Sequence, residues 1–225
     1  MQGHTMRLAP PAPASGQPLL EPVTRALDIA IAALALVVLA PLLLVVLVLV
    51  LTTSRGPALF RQVRVGHLGR PFVMYKFRTM RVGCDDQIHR EYVTSMLSGA
   101  DPRPGQSKGL FKLERDPRVT PVGGLLRRTS LDELPQLFNV LRGEMSLVGP
   151  RPALAWEVPL FAPHHRRRFE VRPGITGLWQ VRGRSKLSML EALDLDVEYV
   201  TRRSLRLYLS ILAMTVPVVL RGGAR

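Results

Sequence analysis

Between Ile29 and Leu51 the chain carries no charged residue. A helix of roughly 20 apolar residues is enough to cross a bilayer, so any fold for this chain must give that run lipid or a deep core. By hydropathy it is a membrane helix over residues 23–54, with a buried helix of a soluble core as the alternative. Arg7 and Arg25 precede the run, and Arg55, Arg61, Arg64 and Arg70 follow it. Basic residues on both sides favour neither orientation of a simple crossing. Pro41 lies near the middle, removes an N–H and is expected to kink or break the helix there. Residues 1–22 are rich in proline and lack periodicity, which reads as a disordered lead-in. No Ala-x-Ala-type cleavage site follows the run, so a cleaved signal peptide is not expected.

The remaining 55–225 reads as a folded domain of mixed elements. Ala58–Val65 and Pro71–Phe77 are β-prone runs around the turn-forming Gly66–Arg70, which predicts a hairpin. Asp85–Leu97 and Leu187–Tyr199 read as helices, the second with apolar residues every third or fourth position. Leu205–Leu220 is apolar, opens near Arg206, is interrupted by Pro217 and is too short to span, which suits an interfacial helix. The fold class expected is α+β and mostly helical. With 31 Lys+Arg against 17 Asp+Glu, the net charge of +14 favours polyanionic partners. Aromatic residues make up only 6% and show no regular interleaving with the basic ones, which argues against nucleic acid. A single cysteine, Cys84, excludes an intrachain disulfide and a cysteine metal cluster.

Chemistry concentrates between Arg127 and Pro152, RRTSLDELPQLFNVLRGEMSLVGPRP. Leu134, Leu137, Phe138 and Leu141 fall on one face of a helix that Gly143 is placed to stop. Asp132 and Glu133 therefore sit at or just before a helix N-terminus, where backbone N–H groups favour anions. Two readings stand. Ser130-x-x-Glu133 is a capping box, and Asp132 in a first turn is ordinary helix chemistry. The same acids with Arg127 and Arg128 beside them also suit phosphate chemistry assisted by a metal ion. Arg151 is held between Pro150 and Pro152, a stiff presentation for bidentate phosphate contact, or else a surface arginine in a turn. Pro163–Arg168 is a basic run that suits solvent or anionic headgroups, and the adjacent His164 and His165 share no helix face, a poor pattern for zinc.

Several of these segments together resemble the bacterial sugar transferases, the monotopic polyprenyl-phosphate phosphoglycosyl transferases. The resemblance rests on the Arg127–Pro152 stretch and on GPALFRQVRVGHLGRPFVMYKFRTM at 56–80. It continues in DPRVT at 116–120, VRPGITGLWQVRGR at 171–184 and the Asp196-x-x-Tyr199 pattern, and so covers about Thr24 to Leu220. Departures are Ala40-Pro41 where the family usually has Ser-Pro, Glu198 where Trp is common, and Tyr208 where an acid is frequent.

The resemblance implies a re-entrant membrane helix, with a spanning helix as the alternative, under a catalytic domain with interfacial helices. It implies placement on the cytoplasmic face of the bacterial inner membrane, among membrane lipids. The activity implied is transfer of a sugar 1-phosphate from a UDP-sugar donor to polyprenyl (undecaprenyl) phosphate, with UMP released. Asp132 would be the nucleophile and Glu133 the ligand of Mg²⁺. Arg127, Arg151 and Arg184 would bind phosphate, and Lys76 the nucleotide or its phosphates. A homodimer is left open, and the sugar is not named. The rival readings are a non-catalytic membrane scaffold, a membrane-anchored nucleic-acid-binding protein and a nucleotide-sugar hydrolase.

Overall fold

A computed structural model describes residues 19–83, 87–97, 116–183 and 187–220. Arg184 and Cys84 lie outside them. Helix α1 (Leu20–Thr53) is a single run of 34 residues that continues through Pro41, so the expected interruption does not end it. It also starts before residue 23, with Leu20–Pro22 already helical rather than part of a lead-in. Both of its ends are bonded to the rest of the chain. Near the start, Arg25 donates from Nη1 to the Val140 carbonyl at 2.6 Å and from Nη2 to that of Leu141 at 2.9 Å. Near the end, Arg78 donates from Nη2 to the Ser54 carbonyl at 2.7 Å, while Val46 and Val50 are buried against Phe77 and Leu126. Between these anchors one face of the helix is bare: Leu34, Val37, Val38, Leu44 and Val45 are all exposed.

The predicted hairpin forms from β1 (Leu59–Val65) and β2 (Pro71–Phe77), antiparallel, with Phe60 opposite Lys76 and Val63 opposite Val73. Helix α2 (Gln87–Leu97) matches the expected short helix over its described length. Helix α3 (Pro121–Thr129) is capped by Thr120, whose hydroxyl accepts from Gly123 N–H, with proline at its first position. It ends on Ser130, which adopts a left-handed backbone at φ 58. A 3-10 turn over Leu131–Glu133 follows, then α4 (Gln136–Arg142), stopped by Gly143 at φ 80 as expected. The capping box does not form: Ser130 makes no side-chain cap bond, because its left-handed backbone closes α3 instead. On α4, Leu137 and Val140 face the core, whereas Phe138 is 51% exposed and leaves the predicted apolar face.

A second sheet, absent from the sequence expectation, pairs β3 (Ser146–Val148) with β4 (Gly174–Thr176) in parallel. The two glycine-bearing segments meet back to back. A Cβ on Gly174 would lie 2.1 Å from the Gly149 nitrogen and 2.4 Å from the Thr176 carbonyl oxygen. Neither backbone atom can yield, so Gly174→Ala is expected to cost more than about 4 kcal/mol. The check is recovery of monodisperse protein in detergent, which the variant should lack.

Helix α5 (Leu178–Arg182) follows, then α6 (Met189–Thr201), opened by a Ser188–Glu191 capping box. The last helix, α7 (Leu205–Leu220), runs on through Pro217 rather than breaking there. One core joins α1, β2, α4, β3, α6 and α7 through Ala32, Met74, Val140, Leu147, Tyr199 and Ile211. Inside it the Asp28 carboxylate accepts from Tyr208 Oη at 2.7 Å, Leu147 N–H at 2.8 Å and Ser146 Oγ at 3.1 Å. Buried polar groups persist only when bonded in this way, and this one ties the start of α1 to β3 and α7. Tyr208 thus has a structural partner at a position where the sequence alone assigned none.

Candidate active site

The acid turn is placed by a residue that periodicity reads only as an interruption. Asn139 on α4 is fully buried. Its Oδ1 accepts from the Tyr75 N–H at 3.1 Å, and its Nδ2 donates to the Val73 carbonyl and Glu144, both at 2.7 Å. A buried amide with these partners fixes α4 against the edge of β2 in one register. The turn preceding α4 therefore comes to rest beside Lys76, and Lys76 Nζ lies 2.7 Å from Glu133 Oε1. The carboxylate that the capping reading would have sent to a backbone N–H is instead paired with a lysine. Asp132, next to it on the same turn, is 8% exposed. The left-handed Ser130 is what lets α3 reverse into this turn. For a residue with a Cβ that conformation costs about 1–2 kcal/mol, and such outliers gather at functional sites.

The backbone at Arg151 is held by several elements. The hairpin holds its turn: Val65 N–H donates to the Ala153 carbonyl at 2.8 Å, and Arg64 Nη1 to that of Pro152 at 3.1 Å. The second sheet holds it too, through Gly149 N–H to the Thr176 carbonyl at 2.9 Å. From below, Arg168 Nη2 donates both to the Arg151 carbonyl and to Asp196 Oδ2, each at 2.7 Å. Tyr199 Oη, one helical turn on from Asp196, donates to the Val148 carbonyl at 3.2 Å. The Asp196-x-x-Tyr199 pattern thus acquires a physical job, which is to hold the chain from Val148 to Arg151. Burial pushes Asp196 up to about 6, against the pull of Arg168 and Arg151. Burial also lowers Arg151, while the negative fields of Glu157 and Glu133 act to raise it. Arg151 and Glu133 therefore act on one another, and the structure gathers Lys76, Asp132, Glu133 and Arg151.

Arg127 belongs to a neighbouring group. It lies in the last turn of α3, and with Arg118 it holds Asp116 below the usual carboxylate range. Arg118 supplies most of that effect through Nε to Oδ1 and Nη2 to Oδ2, both at 2.8 Å. Asp116–Thr120 thus places its acid near Arg127. Two adjacent carboxylates beside an ammonium and a guanidinium make an oxygen-donor cradle. It fits a hard divalent cation and phosphate oxygens better than a soft metal.

Comparisons with known proteins identify the family. The sequence profile described as "Bacterial sugar transferase" matches residues 20–222. The "Exopolysaccharide production protein ExoY" of Sinorhizobium fredii is 42% identical over 195 residues, covering 87% of this chain and 84% of that protein. The "UDP-glucose:undecaprenyl-phosphate glucose-1-phosphate transferase" of Caulobacter vibrioides is 40% identical over 204 residues, 87% of this chain and 69% of that protein. The "Galactosyl transferase CpsE" of Streptococcus agalactiae is 44% identical over 173 residues, which is 76% of this chain but only 36% of that longer protein. With a family profile matched along nearly its whole described length, and with relatives this similar, the chain belongs to the bacterial sugar transferase family.

Proposed function

We propose that this protein transfers a sugar 1-phosphate from a UDP-sugar to undecaprenyl phosphate at the cytoplasmic face of the bacterial inner membrane. The observation that carries the reading is the convergence of Lys76, Glu133 and Arg151 on the turn that bears Asp132. A carboxylate oxygen of Asp132 attacks the β-phosphorus of the donor. The bond from that phosphorus to the bridging oxygen breaks, and UMP leaves with the electron pair. A phosphate oxygen of the lipid then attacks the same phosphorus, the bond to Asp132 breaks, and the carboxylate is restored. The product carries the sugar on a diphosphate-linked lipid. Glu133, with Asp132 beside it, would hold Mg²⁺, which supplies neutralisation of the diphosphate charge. Arg151, held rigidly at its backbone, offers a fixed fork to the transferring phosphoryl oxygens, and Lys76 a point charge. Arg127 and Arg184 are assigned to phosphate on the family resemblance.

The membrane placement is read from α1. A crossing helix must put its ends on opposite sides of about 30 Å of hydrocarbon. Here both ends are hydrogen-bonded to one folded unit, through Arg25 to α4 and through Arg78 to Val50 and Ser54. The exposed apolar stretch between them is what lipid would cover, which supports entry and exit on one face.

Glu133→Gln keeps the size of the side chain and removes its charge. It should lower turnover by about 10²–10³-fold and flatten the response to Mg²⁺. The check is a Mg²⁺ titration of UMP release with UDP-sugar and undecaprenyl phosphate in nanodiscs. Turnover and metal response equal to the unmodified protein would remove Glu133 from the mechanism.

A further inference from the structure

The basic run Pro163–Arg168, which suits solvent or anionic headgroups, also contains a different kind of group. His164 and His165 lie on the 3-10 segment Pro163–Glu170, which packs along α6. Neighbours in an α-helix point about 100° apart, and this is why the sequence argued against a shared ligand. The two rings nevertheless converge, because both tilt toward one acid on the neighbouring α6. The two imidazoles sit 3.9 Å apart between ring centroids. Their Nε2 atoms address the same oxygen, Asp194 Oδ1, at 3.5 Å for His164 and 2.9 Å for His165. All three potential ligand atoms lie within 4.8 Å of one another.

We propose that His164, His165 and Asp194 form a binding site for a borderline divalent transition ion such as Zn²⁺, separate from the catalytic acid turn. Zinc–nitrogen and zinc–oxygen bonds of about 2.0–2.1 Å in a tetrahedron set ligand atoms about 3.3–3.4 Å apart. The two nitrogen-to-oxygen separations, 3.5 and 2.9 Å, bracket that edge. Two imidazoles and one carboxylate are the donor set that such ions take, whereas Mg²⁺ prefers oxygen alone. His165 is 4% exposed, and among the described residues nothing bonds its Nδ1. Its Nε2 is held by Asp194, so an ion at Nε2 replaces the Nε2–H···Oδ1 contact and leaves the ring's proton at Nδ1. His164 and Asp194 are exposed and give an open path and a free fourth position.

The neighbouring cations do not close the site. Arg167 Nε is paired with Glu170 at 3.1 Å, and Arg168 turns inward to Asp196. The frame is stiff, because Phe169 and Leu193 pack in one buried cluster behind the three ligands. An ion here joins the outer sides of the two elements whose inner sides hold the Arg151 carbonyl. Its role is to brace that frame.

The test uses the full chain without a histidine tag, stripped of metal and held in nanodiscs. Co²⁺ is titrated, followed by Zn²⁺ as competitor. One Co²⁺ per chain should give the visible absorption of a four-coordinate ion, displaced by Zn²⁺, and Zn²⁺ should raise the melting temperature. His164→Gln and Asp194→Asn, both at exposed side chains, should weaken binding by about 10–100-fold and remove the thermal shift. Glu133→Gln should bind as the unmodified protein does. Equal binding by His164→Gln, or loss of the site in Glu133→Gln, would place the ion elsewhere and overturn the proposal, as would no binding at millimolar Co²⁺.

Discussion

Asp132→Asn should abolish transfer while leaving the protein folded. The substitution preserves shape, so the turn between Ser130 and α4 keeps its packing and the melting temperature should stay within a few degrees. What it removes is the atom that bonds to phosphorus. Glu133→Gln leaves the positive charges of Lys76 and Arg151 to share part of its task, but no neighbour can replace a nucleophile. A loss of about 10³-fold or more in turnover is expected. Exchange of labelled UMP into the UDP-sugar, run without lipid, is the cleaner readout, because it isolates the first displacement. That exchange should be absent in Asp132→Asn and present in the unmodified protein.

Asp196→Ala should be the costliest single change to stability away from the backbone contacts. Arg168 and Asp196 are 5% and 2% exposed and meet at 2.7 Å. Removing the acid leaves a buried guanidinium with no countercharge, which costs about 3–5 kcal/mol. For a domain of this size that corresponds to a fall in melting temperature on the order of 10 °C. A paired replacement, Arg168→Met with Asp196→Leu, separates stability from positioning. It should recover most of the stability, because a buried ion pair is often matched by apolar groups of similar volume. It should not recover turnover, because the Arg151 carbonyl has lost its donor at 2.7 Å and the guanidinium is no longer fixed. Recovery of both would make the pair a matter of packing alone.

Much of this was legible in the sequence because local chemistry wrote it. The hairpin follows from two β-prone runs around a turn, and Gly143 ends α4 because glycine takes the left-handed backbone at φ 80 with no Cβ penalty. The acid pair was found at the right place, but its partner was not decidable. Ser130-x-x-Glu133 satisfies the capping pattern, and only the left-handed Ser130 and the distant Lys76, 57 positions away in sequence, send Glu133 elsewhere. The β3–β4 pair was missed because three-residue strands carry no period and their pairing is set by the glycine backbones at 149 and 174. Phe138 was misplaced because Asn139, not Phe138, takes the inward position, and its partners lie on another strand. The approach of His164 and His165 to Asp194 is not legible either, because the acid lies 29 positions away from His165 on another element. Pro41 and Pro217 each suggest an interruption, yet each helix continues past its proline.

The most direct test of the account is the intact mass of the protein after incubation with a panel of UDP-sugars and Mg²⁺, with no lipid acceptor. One donor should add the mass of its sugar phosphate, with one UMP released per chain. Peptide mapping should place the adduct on Asp132, and undecaprenyl phosphate should discharge it to the lipid. UMP formed only when lipid is present, with the protein mass unchanged throughout, would mean direct displacement and would contradict the role given to Asp132.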